Sequence, residues 1–414
     1  MPAFDVTDLS LAEPGARRIA YAERAMPVLG RLRERFARDR PLEGLVVAAC
    51  MHVTAETAAL ARTLTTGGAQ LHLAASNPLS TQNDVAAALV ADLGVGVHAR
   101  HGIDRAGYAA HLAAVLAPGP QVVLDDGCDL VQVLHARPGL LKGVRAGCEQ
   151  TSTGVLRLRQ MAAENALRLP MVAVDDTATQ RLVANRHGTG QSVLEAVIRA
   201  TDVLLAGTTL VVAGYGWCGS GIASRARGLG AHVIVTEVDP GRALEAVLDG
   251  HRVLPMAEAA RVGEVFVTAT GNRDVLRPEH FEVMRDGAVL VNGGHFDVEV
   301  DVAGLRAGAA EVHRVRPHVD EYVLPDGRRL LLLAEGRLAN LAAAEGHPAA
   351  VMDMSYAVQV LTVQWLVGQD LRPGVHEVPV SIDAEVARTK LAALGVGLDE
   401  LTPQQDRYLS TWRA

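Results

Sequence analysis

Three glycines, Gly214, Gly216 and Gly219, follow the apolar run "LVVA" and open a helix-like stretch. A Gly-x-Gly-x-x-Gly in that setting holds a dinucleotide. The first glycine makes the tight turn, the second lets the backbone approach a pyrophosphate, and the third lets the helix pack on its strand. The pyrophosphate then rests on free N–H groups at the positive end of the helix. The following strand, "HVIVTEVDP", ends in Glu237. A carboxylate there accepts hydrogen bonds from ribose hydroxyls and repels a 2′-phosphate, so NAD is expected over NADP. Arg242, close by, is the residue able to hold such a phosphate. A second set of polar residues lies in the other half of the chain, each at the end of an apolar run: His52 and Thr54 after "GLVVAAC", Ser76 and Asn77 at "AQLHLAAS", Asp125 and Asp126 at "QVVLDD". An imidazole beside a carboxylate can move protons near neutral pH. Any one of these residues is as well explained by a turn or a helix cap. Their recurrence at equivalent strand ends argues for a site.

The elements that must carry these residues alternate. Short apolar runs are separated by helical stretches such as "TAETAALARTLTTGG" and "STQNDVAAALVADLG", and the pattern resumes after Gly219 with "EVFVTATG" and "AVLVNGG". Strands alternating with helices imply βαβ units and parallel sheets, with ligands at the carboxyl ends of the strands. The expected class is α/β, with two Rossmann-like doubly wound domains and a short C-terminal segment. A chain of 414 residues, 49% apolar, with a net charge of -8, suits a globular protein of two or three domains. Its charge carries no basic block, which argues against nucleic acid. No apolar stretch is long enough to span a bilayer and no secretory signal opens the chain, so a cytoplasmic protein is expected. Cys50, Cys128, Cys148 and Cys218 lie far apart and suggest free thiols, neither a disulfide framework nor a metal site.

Six stretches, "MHVTAETAAL", "SNPLSTQNDVAAAL", "LDDGCDL", "VVAGYGWCGSG", "NGGHFDVEVD" and "LLLAEGRLANLAAAEGHP", resemble S-adenosylhomocysteine hydrolases, in order and along nearly the whole chain. The likeness is to the short form of archaea and some bacteria, without the Lys- and Tyr-containing tail of longer members. The resemblance implies tightly held NAD, which oxidises the ribose 3′-hydroxyl. The ketone acidifies the C4′ proton, the thioether at C5′ is cleaved by elimination, water adds, and the ketone is reduced again. It implies a substrate domain of residues 1–182 and 346–378, an NAD domain of 190–345, a C-terminal segment of 379–414, and a homotetramer. It assigns proton handling near C4′ and C5′ to His52 and Asp126, with His295 between substrate and cofactor and Asn185 beside the nicotinamide. Thr54 and Glu56 contact the adenine, His347 lies at the base, and Asn77 belongs with the substrate contacts. Thr151, Ser152, Thr153, Glu237, Asn272, Gly293, Gly294 and Asn340 reach the NAD.

The resemblance breaks at the sugar. "VDDTATQRLVANRHGTGQS" puts Gln180 and Ala184 where the family has a lysine and an aspartate, and "CEQTSTG" puts Gln150 where it has a glutamate. Glutamine donates a hydrogen bond but takes no proton at neutral pH, and each lost charged stabiliser typically costs about 10²–10³ in rate. Three functions follow: the family hydrolysis, an altered NAD-dependent reaction on a related thioether or nucleoside, or a non-catalytic NAD-binding regulator. Were the ordinary reaction to persist, His187 or Asp176 is expected to replace the lysine.

Overall fold

A computed structural model describes residues 2–412; Met1, Arg413 and Ala414, at the outer ends of the first and last expected segments, lie outside it. The described strands form two sheets of eight. In the first, all neighbours are parallel and the order is Asp5–Val6, Gly96–Ala99, Gln70–Ala75, Val46–Met51, Val122–Asp125, Ala146–Glu149, Pro170–Ala173 and Gly374–Glu377. After the edge strand Asp5–Val6, the chain crosses to Val46–Met51 in the middle, works back through Gln70–Ala75 to Gly96–Ala99 beside that edge, then returns to Val122–Asp125 on the other side of Val46–Met51. The order therefore reverses between those two strands, the place where an open α/β sheet forms its ligand crevice. His52 and Asp126 follow directly on them.

The second sheet repeats the device. Arg252–Val253, His232–Thr236, Thr209–Ala213, Val265–Thr268, Ala288–Asn292 and Arg329–Leu333 are parallel, and Val319–Val323 and Glu311–Arg316 close the edge antiparallel. Its reversal lies between Thr209–Ala213, which runs into Gly214, and Val265–Thr268. Helices cover both faces of each sheet, so the central strands are apolar throughout rather than alternating; Val47–Met51 is buried at every position.

The helix Ala349–Leu366 lies in the core of the first lobe. Its Asp353 is fully buried; it accepts the N–H groups of Val28 (3.2 Å) and Leu29 (2.9 Å), which open the helix Pro27–Asp39, and meets Lys390 Nζ at 2.9 Å. Lys390 belongs to the helix Val380–Ala393, whose Ile382 and Val386 share the same core. One carboxylate thus ties three helices. Asp353→Ala leaves two helix N–H groups without their acceptor and takes the carboxylate partner from the part-buried Lys390 ammonium, which keeps the Ala350 carbonyl. It is expected to lower stability by about 2–3 kcal/mol, read as an earlier denaturant midpoint of the first lobe.

The lobes are joined by a π-helix, Gln180–Gly188, continuing into the helix Thr189–Thr201. The dinucleotide helix Trp217–Gly228 lies so close to this crossing that a Cβ on Gly221 would fall 1.9 Å from the Arg186 carbonyl oxygen. Any side chain at Gly221 would push the dinucleotide helix off the joining π-helix.

Candidate active site

The two sheet reversals face one cleft of about 400 Å³. His52 and Asp126 line it from the first lobe. His52 Nε2 lies 3.5 Å from Asp126 Oδ2, and His52 Nδ1 lies 2.7 Å from Ser80 Oγ. Ser80 donates its own proton to the Asn77 carbonyl at 2.9 Å. Ser80 must therefore accept from Nδ1–H, which leaves Nε2 as the nitrogen that takes a proton, with Asp126 placed to stabilise the charge. Asn77 itself is off the cleft wall; its side chain accepts from Leu79 N at 2.9 Å and caps the turn Pro78–Ser80. Burial lowers the His52 pKa, Asp126 opposes this, and His295 adds to the lowering.

The loop bearing Asp126 is held by a residue that the sequence did not single out. Glu149, buried at the end of its strand, accepts the N–H groups of Gly127, Cys128 and Thr151, each at 2.9 Å. Burial, reinforced by the charges of Asp125 and Asp126, raises its pKa well above the usual carboxylate range. Asp125 points away from the cleft and accepts Val131 N at 2.9 Å. Its strand-end position was the same signal as that of Asp126.

His347, from the returning segment, lines the same cavity as His52 and pairs with Thr189 Oγ1 at 3.1 Å. Burial pushes its pKa down from 6.5 to about 4, with His52 adding and Asp126 opposing. The folded protein therefore holds His347 neutral while the unfolded chain takes a proton. Stability is expected to fall as pH drops from about 6.5 towards about 4, and His347→Gln to flatten that fall in thermal unfolding at stepped pH. Thr54, Glu56, Gln150 and Gln180 line the same cavity, with Met352 and Tyr356 beside them. Glu56 is raised chiefly by burial. The carbonyl oxygens of both glutamines are buried without a partner, while Gln150 Nε2 donates to Ser355 Oγ. Ala184 is fully buried behind the wall.

The second lobe supplies the opposite wall: Gly216, Trp217, Cys218, Arg242, Ala269, Thr270, Gly271, Gly293, Gly294, His295 and Asn340, met from the first lobe by Thr151, Ser152, Thr153, Asp175 and Asn185. His295 is 6.4 Å from the His52 ring and 4.8 Å from Phe296, centroid to centroid, and the Arg157 guanidinium of the first lobe covers Phe296 at 4.1 Å. His187, Asp176 and Asn272 are not on this wall. Asp176 pairs with Arg181 at 3.0 Å and with Arg159; Asn272 Oδ1 accepts Arg273 N at 2.9 Å.

These residues fit a dinucleotide. Gly214 has φ +93°, and a Cβ on Gly219 would fall 1.9 Å from the Gly214 carbonyl oxygen, so both positions demand glycine. The helix Trp217–Gly228 begins at Gly216 without a side-chain cap, leaving its N–H groups for a phosphate. Asn340 Oδ1 is buried, faces the cleft and has no partner. Glu237 accepts Tyr215 N (2.7 Å), Val238 N (2.6 Å) and Asp239 N (2.9 Å), which fixes its carboxylate at the end of the glycine loop with a lone pair to spare. NAD⁺ is expected to bind well over tenfold more tightly than NADP⁺, and Glu237→Ala to narrow the gap. Equal affinities by calorimetry would instead give Arg242 the role of a phosphate ligand.

Residues 185–346 match the family model of the S-adenosyl-L-homocysteine hydrolase NAD binding domain, and residues 3–140 that of S-adenosyl-L-homocysteine hydrolase. The chain is 57% identical over 412 residues to the adenosylhomocysteinase of Aquifex aeolicus, covering 99% of each chain. It is 50% identical over 413 residues to the S-inosyl-L-homocysteine hydrolase of Methanopyrus kandleri, covering 99% of this chain and 97% of the other. Among solved structures, a dipicolinate synthase chain of Bacillus halodurans shares the fold, with a TM-score of 0.50 at 14% identity, covering 78% of this chain and 99% of that one.

Proposed function

The chain belongs to the S-adenosyl-L-homocysteine hydrolase family, and from that premise we propose how its cleft cleaves the C5′ thioether of S-adenosyl- or S-inosyl-homocysteine. The family is NAD-dependent, and the cofactor, when bound, supplies oxidation of the ribose 3′-hydroxyl and the closing reduction. The chain's own residues do the rest. His52 Nε2 takes or returns the proton at C4′–C5′, with Asp126 stabilising its charge. His295 and Asn185 fix the sugar against the cofactor wall. Thr54, Glu56 and His347 hold the base, and Thr151, Ser152, Thr153, Gly293, Gly294 and Asn340 hold NAD. Residues 1–182 with 346–378 form the substrate domain in this account and 190–345 the NAD domain. The cleft between them closes over the reactive ketone and excludes water until it is needed.

The observation that carries this reading is that two sheet reversals, one ending in His52 and Asp126 and the other in the glycine loop, open on the same cavity. Thiol release from S-adenosyl- and S-inosyl-homocysteine by the NAD-loaded protein tests it. Turnover of one or both is expected, and NAD bound without turnover of either would sink it. A second reading rests on the unpartnered carbonyls of Gln150 and Gln180: the preferred thioether carries hydrogen-bond donors on its sugar in place of contacts to charged groups. We further propose a cytoplasmic homotetramer with neither nucleic acid nor membrane as partner; no described helix is long and apolar enough to cross a membrane.

A further inference from the structure

Oxidising an alcohol requires a place for its proton, and neither Gln150 nor Gln180 can take one. The other side chains of the cleft able to take a proton are placed elsewhere: His52 lies against Asp126, His347 pairs with Thr189, Glu56 turns to Thr54, His295 packs edge-on against Phe296, and Glu345 is on the exposed rim beside Arg199. Asp175 differs from these. It lies in the turn Val174–Asp176 after the strand Pro170–Ala173, is 5% exposed, and lines the cleft. Its Oδ1 accepts from Asn185 Nδ2 at 3.2 Å and its Oδ2 from Ser152 Oγ. Both donors also line the cleft. Across from it is Cys218, in the first turn of the dinucleotide helix. That thiol is pushed up to about 11, first by burial and then by the charges of Asp175 and Glu299, with the Thr189 hydrogen bond opposing. Asp175 is thus the carboxylate of the first lobe that faces the start of the nucleotide helix.

We propose that Asp175 is the catalytic proton acceptor for oxidation of the ribose hydroxyl, with Asn185 and Ser152 as its positioning residues. This rests on the reading of the cleft given above. The hydroxyl O–H bond breaks and its proton goes to an Asp175 carboxylate oxygen. Bound NAD⁺ would supply the acceptor for the carbinol hydrogen and its electron pair, which leaves a C=O bond on the sugar. The final reduction reverses each movement, so no net oxidant is consumed. Burial raises the Asp175 pKa and Asp176 adds to this, while Ser152, Asn185 and Arg181 oppose. Only the ionised form accepts a proton, so the oxidation is lost as pH falls through this raised value.

The test mixes the NAD-loaded protein with S-adenosyl- or S-inosyl-homocysteine and follows reduced cofactor in a single turnover. Asp175→Asn, close in shape, is expected to slow its appearance by about 10²-fold or more and to abolish the acid limb of the pH profile, while NAD affinity by calorimetry stays within a few-fold. Added formate is expected to rescue Asp175→Gly. In cofactor-free protein labelled with carbon-13 at aspartate carboxyls, one resonance should titrate above the usual range and be missing from Asp175→Asn. A wild type that turns over, with Asp175→Asn equally fast, overturns the assignment alone. A wild type inert towards both thioethers overturns the reading of the cleft and this assignment with it.

Discussion

His52→Ala is expected to reduce thiol release by about 10²–10⁴-fold, the usual worth of a positioned general base, while leaving NAD bound. The size follows from the local network. Nδ1–H is committed to Ser80, whose own proton is committed to the Asn77 carbonyl, so Nε2 alone takes up the proton. Asp126 is 3.5 Å away to stabilise the imidazolium, and His347, the neighbouring imidazole, is held neutral well below its ordinary pKa. Burial also lowers the His52 pKa, so its neutral form persists further into acid than for a free imidazole. Steps that need the free base therefore fail only below that lowered value. Asp126→Asn should cost less than His52→Ala, because the amide keeps the shape but no longer stabilises the charge. His52→Ala showing wild-type turnover would remove the residue from the mechanism. Loss of NAD binding in the same variant would make its role structural.

The second large effect is a rescue. Gln180→Lys and Ala184→Asp, introduced together into the Asp175→Asn protein, are expected to raise cofactor reduction by about tenfold or more. An ammonium at the hydroxyl provides both a proton relay and charge stabilisation for the ketone and enolate oxygen. The two positions are four apart on the π-helix and both are buried. Ala184→Asp alone buries an unpaired carboxylate, and Gln180→Lys alone an unpaired ammonium. Each single change is therefore expected to achieve far less than the pair, the non-additivity of residues acting in one network. Equal effects from one substitution and from both would show that the positions do not cooperate.

Much of this was legible because a doubly wound sheet converts sequence position into space. His52 and Asp126 could be picked out as strand-end residues, and the sheet order explains why they meet: their strands flank the reversal. The glycine loop was legible from its spacing together with the apolar strand that enters it and the following strand that ends in Glu237. What failed to show was orientation within turns. Asp175 and Asp176 are adjacent in one short turn, yet the first faces the cleft and the second pairs with arginines outside it. Nothing in the pair of letters separates them. The π-helix Gln180–Gly188 has the same effect on a larger scale. Its wider turn departs from the 3.6-residue period on which face assignments rest, so the wall takes Gln180 and Asn185 while Ala184 stays behind it and His187 off it. Glu149 was hidden for another reason: it acts on backbone N–H groups of Gly127 and Cys128, in a loop more than twenty residues away.

On the proposed route, cleavage proceeds through a ketone that makes the C4′ proton acidic. Substrate recovered part-way through a reaction in deuterium oxide reports whether that proton leaves. Deuterium is expected at C4′ of recovered S-adenosyl- or S-inosyl-homocysteine, with exchange lost in His52→Ala. Thiol released at the wild-type rate, with hydrogen retained at C4′ in both remaining substrate and nucleoside product, would contradict it and require direct displacement at C5′.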